Sequence, residues 1–242
     1  MNCCLVSKSW IPRARKHLFA DVRFGTKEEL ESWKETFPDP STSPGRYAKT
    51  LTINHPHAVT VADAEVGGWI RDFSHVVHLE LGSPGRLQGP YDDDESGIFL
   101  VPLQGLSPFV KSLSIDSIAL PSSRIFDLIL SFPPLEDLTV TNCYGAAINK
   151  GGGSNLLPTL IQPSNPPAFT GSLKLVTSGA APIARQLLFL PGGIHFRKFM
   201  LAWEPGEDIS VITALERCSH TLQSLNIACG PFGASILHLC PY

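Results

Sequence analysis

The most regular feature of the chain is a short alternation of apolar and polar residues that recurs seven times. Val110–Ile115 (VKSLSI) has the clearest form, apolar-x-x-Leu-x-apolar, and the other copies follow it more loosely. One apolar anchor per copy stands at Leu51, Leu79, Leu113, Leu138, Leu173, Phe199 and Leu225, at intervals of 25 to 35 residues. A strand that recurs at such intervals, with helix or loop sequence between, indicates an array of repeats in which each unit packs on its neighbours.

These strands predict an α/β fold with one parallel sheet. Strand–connector–strand crossovers place successive strands side by side and parallel. Within each copy, the anchor and the apolar residue two positions later face the core, and the residues between them face outward. The expected architecture is a leucine-rich-repeat-like solenoid, with the parallel sheet on its concave face and helices or loops on its convex face.

The outward-facing strand residues form the first candidate site. They are polar and of mixed charge, and a curved face of this kind on a rigid sheet is how solenoids bind other macromolecules. We predict a substrate-binding role for Thr50, Thr52, His78, Glu80, Ser112, Ser114, Asp137, Thr139, Lys174, Lys198, Ser224 and Asn226. Ser172 and Met200 complete the row. The alternative is a solvated face without a binding role.

The connectors between the strands predict short helices. Thr26–Phe37 is the clearest of them, because Thr26 can cap it and Glu29 follows three residues later, as in a capping box. Further helices are expected at 122–132, 182–190 and 208–218, with a weaker one at 62–73, where two glycines interrupt the pattern. The helices and strands together leave room for one continuous core along the array.

Composition excludes several classes of protein. Apolar residues make up 43% and charged residues 17%, which is enough apolar material for a folded core. The net charge of −3 offers no basic excess for nucleic acid or an anionic membrane, and no apolar run reaches the length of a membrane span. Six cysteines without a CxxC pair, and no signal peptide, favour reduced thiols in the cytoplasm or nucleus.

Four local clusters have residue types found in chemical sites, but their spacing favours structural explanations. They are the set Cys218, His220, Cys229, His238 and Cys240, the acidic run 92–95, the glycine-rich segment 150–154, and the pair His55 and His57. The first lacks the short paired spacing of zinc ligands, and the acidic run lacks the alternation of a calcium loop. The glycine-rich segment has its lysine before the glycines, unlike a Walker loop. We therefore predict no enzyme activity, cofactor or metal.

The first 24 residues carry a specific resemblance. Residues 2–19 read NCCLVSKSWIPRARKHLF, in which Pro12 opens a helix with a basic face and with Leu18 and Phe19 opposite, and a Val-x-Phe strand follows. This segment resembles the C-terminal half of an F-box, in the form common in basidiomycete F-box proteins. In that family, a leucine-rich-repeat-like array usually follows, which agrees with the repeats found independently.

The resemblance implies a division into a partial F-box at 1–24, a helix and linker at 25–47, and an irregular repeat array at 48–242. It further implies a Skp-type adaptor and a protein substrate as partners, with Leu5, Val6, Trp10 and Pro12 on the adaptor side. The expected function is that of a substrate receptor in a Skp–cullin–F-box type ubiquitin ligase. Because the Leu-Pro half of the F-box does not precede this segment, a truncated or degenerate solenoid scaffold is the alternative.

Overall fold

A computed structural model describes residues 10–39, 42–54, 56, 59, 63, 68–82, 103, 106, 108–118, 122–143, 169–176, 180–188, 190, 194–203, 210–229 and 235–239. The α-helices are α1 (Ile11–Leu18), α2 (Lys27–Thr36), α3 (Ser122–Leu130), α4 (Ala180–Leu188) and α5 (Ser210–Cys218). The 3₁₀ helices in these ranges are Pro44–Tyr47 and Trp69–Phe73. The strands are β1 (Asp21–Phe24), β2 (Thr50–Ile53), β3 (His78–Gly82), β4 (Ser112–Asp116), β5 (Asp137–Thr141), β6 (Ser172–Val176), β7 (Lys198–Trp203), β8 (Ser224–Cys229) and β9 (Ser235–Leu239).

All nine strands form one sheet in which their spatial order is their order along the chain. β1 to β8 are parallel, so the predicted α/β fold with a parallel sheet is confirmed. β9 pairs antiparallel with β8 and was not predicted. An antiparallel strand needs only a short connection, so β9 follows β8 without the interval that marks the other copies.

The anchors that define the repeats lie opposite one another in the sheet. Leu51 pairs with Leu79, Leu79 with Leu113, and the series continues to Leu225. Val22 of β1 pairs with Leu51 and adds one more member that the sequence pattern did not include. From Leu51 to Phe199 the anchors are at most 2% exposed, and Leu225 is partly buried. The anchors therefore form one continuous core layer behind the sheet.

A repeated hydrogen-bond arrangement holds the starts of β2, β3, β4, β5, β7 and β8. The carbonyl of Val77 accepts the N–H groups of Lys111 and Ser112 at 2.8 and 3.1 Å, and the carbonyl of Lys49 accepts those of Val77 and His78 at 2.8 and 2.9 Å. The carbonyls of residues 20, 111, 171 and 197 do the same at the starts of β2, β5, β7 and β8. One acceptor for two successive donors fixes the register of each strand against the one before it.

The junction between β5 and β6 departs from this arrangement. The Gly171 N–H still donates to the Glu136 carbonyl at 3.1 Å, but the Ser172 N–H donates to the Asp137 carboxylate at 2.6 Å. Just before it, Phe169 has a φ of 44°, which is uncommon for a bulky residue. Its ring is fully buried and lies 5.1 Å from the ring of Phe196. The repeat pattern predicts that Thr170 is the buried residue here. The buried side chain is instead that of Phe169, one residue earlier.

The predicted helices are confirmed with ends that differ by up to two residues. In α2, the Thr26 hydroxyl accepts the N–H of Glu29 at 3.2 Å, as predicted, but the Glu29 carboxylate reaches the N–H of Gly25 rather than that of Thr26. Trp33 of this helix packs against Phe24 and Phe73 at ring distances of 5.6 and 5.5 Å. Within 62–73 the structure describes the 3₁₀ helix Trp69–Phe73. Two adjacent glycines precede this segment, and because glycine is a poor helix former they are consistent with its short length.

Next to Phe73, in the aromatic cluster around Trp33, lies a buried carboxyl group. Asp72 is 4% exposed and lies against Gly45, where an added Cβ would come within 2.9 Å of the Asp72 Cβ. Burial raises the pKa of Asp72 above its ordinary value of 3.8; the hydroxyl of Ser43 opposes this and the charge of Asp39 adds to it. Removing a carboxylate from water is costly, so the pKa of Asp72 is higher in the native state than in the unfolded chain.

The core layer gives a first testable prediction. Replacing Leu138, which is fully buried, by alanine is expected to lower the free energy of unfolding by about 2–5 kcal/mol, because it leaves a cavity between β4 and β6. Thr139→Ala, on the outer face of the same strand, is the matched control and should change it by less than about 1 kcal/mol. Urea denaturation of both variants measures the difference. Equal losses would contradict the assignment of the two faces.

Asp72 gives a prediction about pH. Since its pKa is raised in the folded protein, the native state binds a proton that the unfolded chain has released, so stability falls as the pH rises from about 4 through the folded pKa. Asp72→Asn should therefore raise Tm at pH 7 and lose this advantage near pH 4. Asp21→Asn, at an exposed position, is the control and should leave Tm unchanged. A lower Tm for Asp72→Asn at pH 7 would contradict the account.

Candidate functional site

The predicted outward residues lie on the face of the sheet opposite the core. Every one of them is exposed or half-exposed, and the buried residues of the same strands alternate with them. The register aligns them in two rows, which we call the polar strip. The first row is Thr50, His78, Ser112, Asp137, Ser172, Lys198 and Ser224, and the second is Thr52, Glu80, Ser114, Thr139, Lys174, Met200 and Asn226. The placement of these residues is confirmed, and their binding role stays a prediction.

Charge is unevenly distributed along the polar strip. Glu80 on β3 accepts a hydrogen bond from the hydroxyl of Thr52 at 3.0 Å, which holds its carboxylate across the neighbouring strand. Lys174 and Lys198 lie on the adjacent strands β6 and β7. Met200, 37% exposed, follows Lys174 in the second row and is a large apolar side chain on this face. The strip therefore offers an acidic part, a basic part and an apolar contact to a macromolecule.

Asp137 has a structural role within the strip. One oxygen of its carboxylate accepts both the N–H and the hydroxyl of Ser172, at 2.6 and 2.7 Å. Charge-assisted hydrogen bonds of this length are among the stronger ones in proteins. Asp137 thus replaces the carbonyl that serves the other strand starts, and this oxygen is already engaged in holding β6.

A second polar cluster, which the sequence reasoning missed, lies at the carboxyl ends of β4 and β5. The carboxylate of Asp116 accepts hydrogen bonds from Ser117 at 3.1 Å, from Asn142 at 3.0 Å and from the hydroxyl of Thr141. Ser117 and Asn142 both have positive φ, of 57° and 51°. The sequence signal that could have revealed this cluster was a serine directly after one strand and an asparagine directly after the next. Because the carboxylate is surrounded by donors of its own chain, the cluster stabilises turns.

Two described cysteine side chains are candidates for a nucleophile or a metal ligand. Cys143 and Cys218 are buried free thiols; Cys143 lies 3.3 Å from the Thr141 carbonyl and Cys218 lies 3.4 Å from the Ile194 carbonyl. Burial raises the pKa of Cys143 to about 11 and raises that of Cys218. A thiol held protonated is neither a good nucleophile nor a ready metal ligand.

The residues assigned to an adaptor lie partly in the described region. Leu5 and Val6 lie outside it, as do the acidic run 92–95, the segment 150–154, and His55 and His57. Trp10 occupies the N-cap position of α1 without a side-chain cap hydrogen bond, and Pro12 lies in the first turn, as predicted. Trp10 is 62% exposed and Leu18 54% exposed.

Comparisons with known proteins do not assign the chain to a family. No family model, curated protein or solved structure shows detectable similarity to the chain. Across the described helices, none combines the length and the apolar character that a membrane crossing requires. In the same part of the chain, no three histidine, cysteine or acidic side chains come together as a metal site would need.

A substitution at Asp137 tests whether its carboxylate is needed for the stability of the fold. Asp137→Ala is expected to lower the free energy of unfolding by about 1–3 kcal/mol, because it leaves the Ser172 N–H without its acceptor. Ser172→Ala removes only the hydroxyl and should cost less. Urea denaturation measures both. Full stability of Asp137→Ala would show that the carboxylate is not needed at the start of β6.

Proposed function

We propose that the chain is a protein-interaction module that acts as the substrate receptor of a Skp–cullin–F-box type ubiquitin ligase. The observation that carries the interaction part is the polar strip: two aligned rows of exposed side chains on seven successive parallel strands. Backbone hydrogen bonds hold each strand to the next, so these side chains are presented on a rigid surface. This is the arrangement that a solenoid uses to bind an extended partner.

The ligase part of the proposal rests on the F-box-like residues at the start of the chain. The described portion of that segment is α1 and β1, and Trp10 and Leu18 expose large apolar surfaces there. Exposed aromatic and aliphatic side chains are typical anchors of protein interfaces. Under this proposal the adaptor binds around α1, the polar strip holds the substrate, and ubiquitin transfer takes place on other subunits.

A second candidate is a solenoid scaffold without a ligase. It is favoured by the position of β1, which pairs in register with β2 as the first strand of the same sheet. The Ala20 carbonyl also accepts the N–H groups of Lys49 and Thr50 at 2.7 and 3.0 Å, as at the later strand starts. In this function α1 and β1 serve as the first unit of the array.

An adaptor-binding experiment separates the two functions. The whole chain, and a version extended by an intact F-box N-terminal half, are tested for binding to a purified Skp-type adaptor. The receptor function predicts that the chain binds and that Trp10→Ala weakens binding at least about tenfold, a loss of about 1.4 kcal/mol. Phe109→Ala, also exposed, is the control and should bind unchanged.

The outcomes have distinct meanings. If neither version binds, the receptor function is wrong and the scaffold function stands. If only the extended version binds, residues 1–242 need the added half to reach an adaptor. Equal binding of Trp10→Ala and Phe109→Ala would remove α1 from the interface.

A further inference from the structure

A cavity of about 400 Å³ lies at the amino-terminal ends of β2 and β3, outside the polar strip. Its described lining comes from α1, the 3₁₀ helix Pro44–Tyr47 and the turns that lead into the two strands. These residues are Lys16, Arg46, Tyr47, Lys49 and His75. Pockets for small ligands in proteins range from about 300 to 1,000 Å³, so the cavity is large enough for one.

The charge of this cavity is opposite to that of the whole chain. Lys16, Arg46 and Lys49 are cationic, and no carboxylate is among the described lining residues, although the net charge is −3. Three cations around one space repel each other, and a bound anion relieves that repulsion. Arg46 and Lys49 lie three residues apart just before β2, whereas Lys16 comes from α1, so folding of the N-terminal region brings Lys16 to the other two.

The backbone beneath the cations is held firmly. The Lys49 N–H donates to Ala20 at 2.7 Å, and its carbonyl accepts from both Val77 and His78. The 3₁₀ helix that carries Arg46 is capped by the hydroxyl of Ser43, which accepts the Gly45 N–H at 3.2 Å. Little backbone rearrangement is therefore needed for the cationic side chains to meet a ligand.

Two aromatic groups shape the rest of the wall. The guanidinium carbon of Arg46 lies 5.0 Å from the centroid of the Tyr47 ring, a cation–π distance that orients the planar group. The His75 ring stacks on that of Phe109, with centroids 6.2 Å apart. The wall thus combines donors with ring surfaces that suit an organic moiety.

We propose that this cavity binds a phosphate monoester. Arginine donates in a planar fork that matches phosphate, and lysines supply point charges, so two or three cations suit a dianion better than a monovalent carboxylate. The volume corresponds to roughly a dozen water molecules at about 30 Å³ each, which exceeds one phosphate group and leaves room for what it is attached to. Binding requires neither an adaptor nor the polar strip, so this site stands or falls separately from the proposed function.

Calorimetric titration of the whole chain tests this site. The probes are inorganic phosphate, O-phosphoserine, phenyl phosphate and a short phosphoserine peptide, with acetate as the monovalent control. Saturable binding of a phosphate probe is expected, and Lys49→Ala and Arg46→Ala should each weaken it at least tenfold. Binding should also weaken with added salt, as for any site of exposed cations.

Lys111→Ala is the matched control. Lys111 precedes β4 as Lys49 precedes β2, and its carbonyl likewise accepts two N–H groups, but its ammonium group pairs with Glu136 at 2.7 Å and does not line the cavity. Binding should be unchanged in this variant. Arg46→Lys keeps the charge and loses the fork, so it should fall between wild type and Arg46→Ala.

Three results would overturn the proposal: no saturable binding of any phosphate probe, binding of acetate as tight as that of phosphate, or an equal loss in Lys49→Ala and Lys111→Ala. Circular dichroism of each variant establishes that it is folded. If the proposal holds, tighter binding of O-phosphoserine or phenyl phosphate than of the peptide indicates a free small molecule. Tighter binding of the peptide indicates a phosphorylated protein segment.

Discussion

The sheet depends on one repeated interaction, in which a single carbonyl accepts the N–H of the first residue of the next strand and the N–H of the residue just before it. It recurs at the starts of β2, β3, β4, β5, β7 and β8. Because the side-chain period of a strand is two, a slip of one residue would turn every anchor out of the core and every polar residue into it. The hydrogen bonds and the burial of the anchors therefore enforce the same register.

The two candidate sites follow from this constraint in different ways. The polar strip exists because apolar and polar residues alternate along each strand and the strands share a common register. Together these two features align the exposed residues in rows. The cationic cavity exists because the carbonyls of Ala20 and Lys49 draw three segments together at the amino-terminal ends of the first strands. The strip is extended and suits a macromolecule, whereas the cavity is small and charged and suits one anionic group.

The sequence predicts much of the fold because the repeats are defined by burial. The seven anchors, the exposed rows and the helices between strands all follow from alternation and from capping residues such as Thr26. What it does not predict depends on geometry that leaves little local pattern. Phe169 fills the core through a positive φ, Asp137 accepts in place of a carbonyl, and β9 follows by a short antiparallel connection. The cavity could not be predicted either, because Lys16 and His75 lie about 30 residues from Arg46 and Lys49 along the chain and only the fold brings them together.

The most direct test of this account is amide hydrogen exchange of the intact chain, followed residue by residue by NMR. The amides of Lys111, Arg197 and Gln223 belong to exposed residues just before strands, and each donates to the carbonyl of the preceding repeat at 2.7 or 2.8 Å. We predict that they exchange as slowly as the amides within the strands, because they open only when a strand detaches. Exchange at the rate of an unstructured peptide would contradict the shared-carbonyl arrangement, and with it the register on which both candidate sites depend.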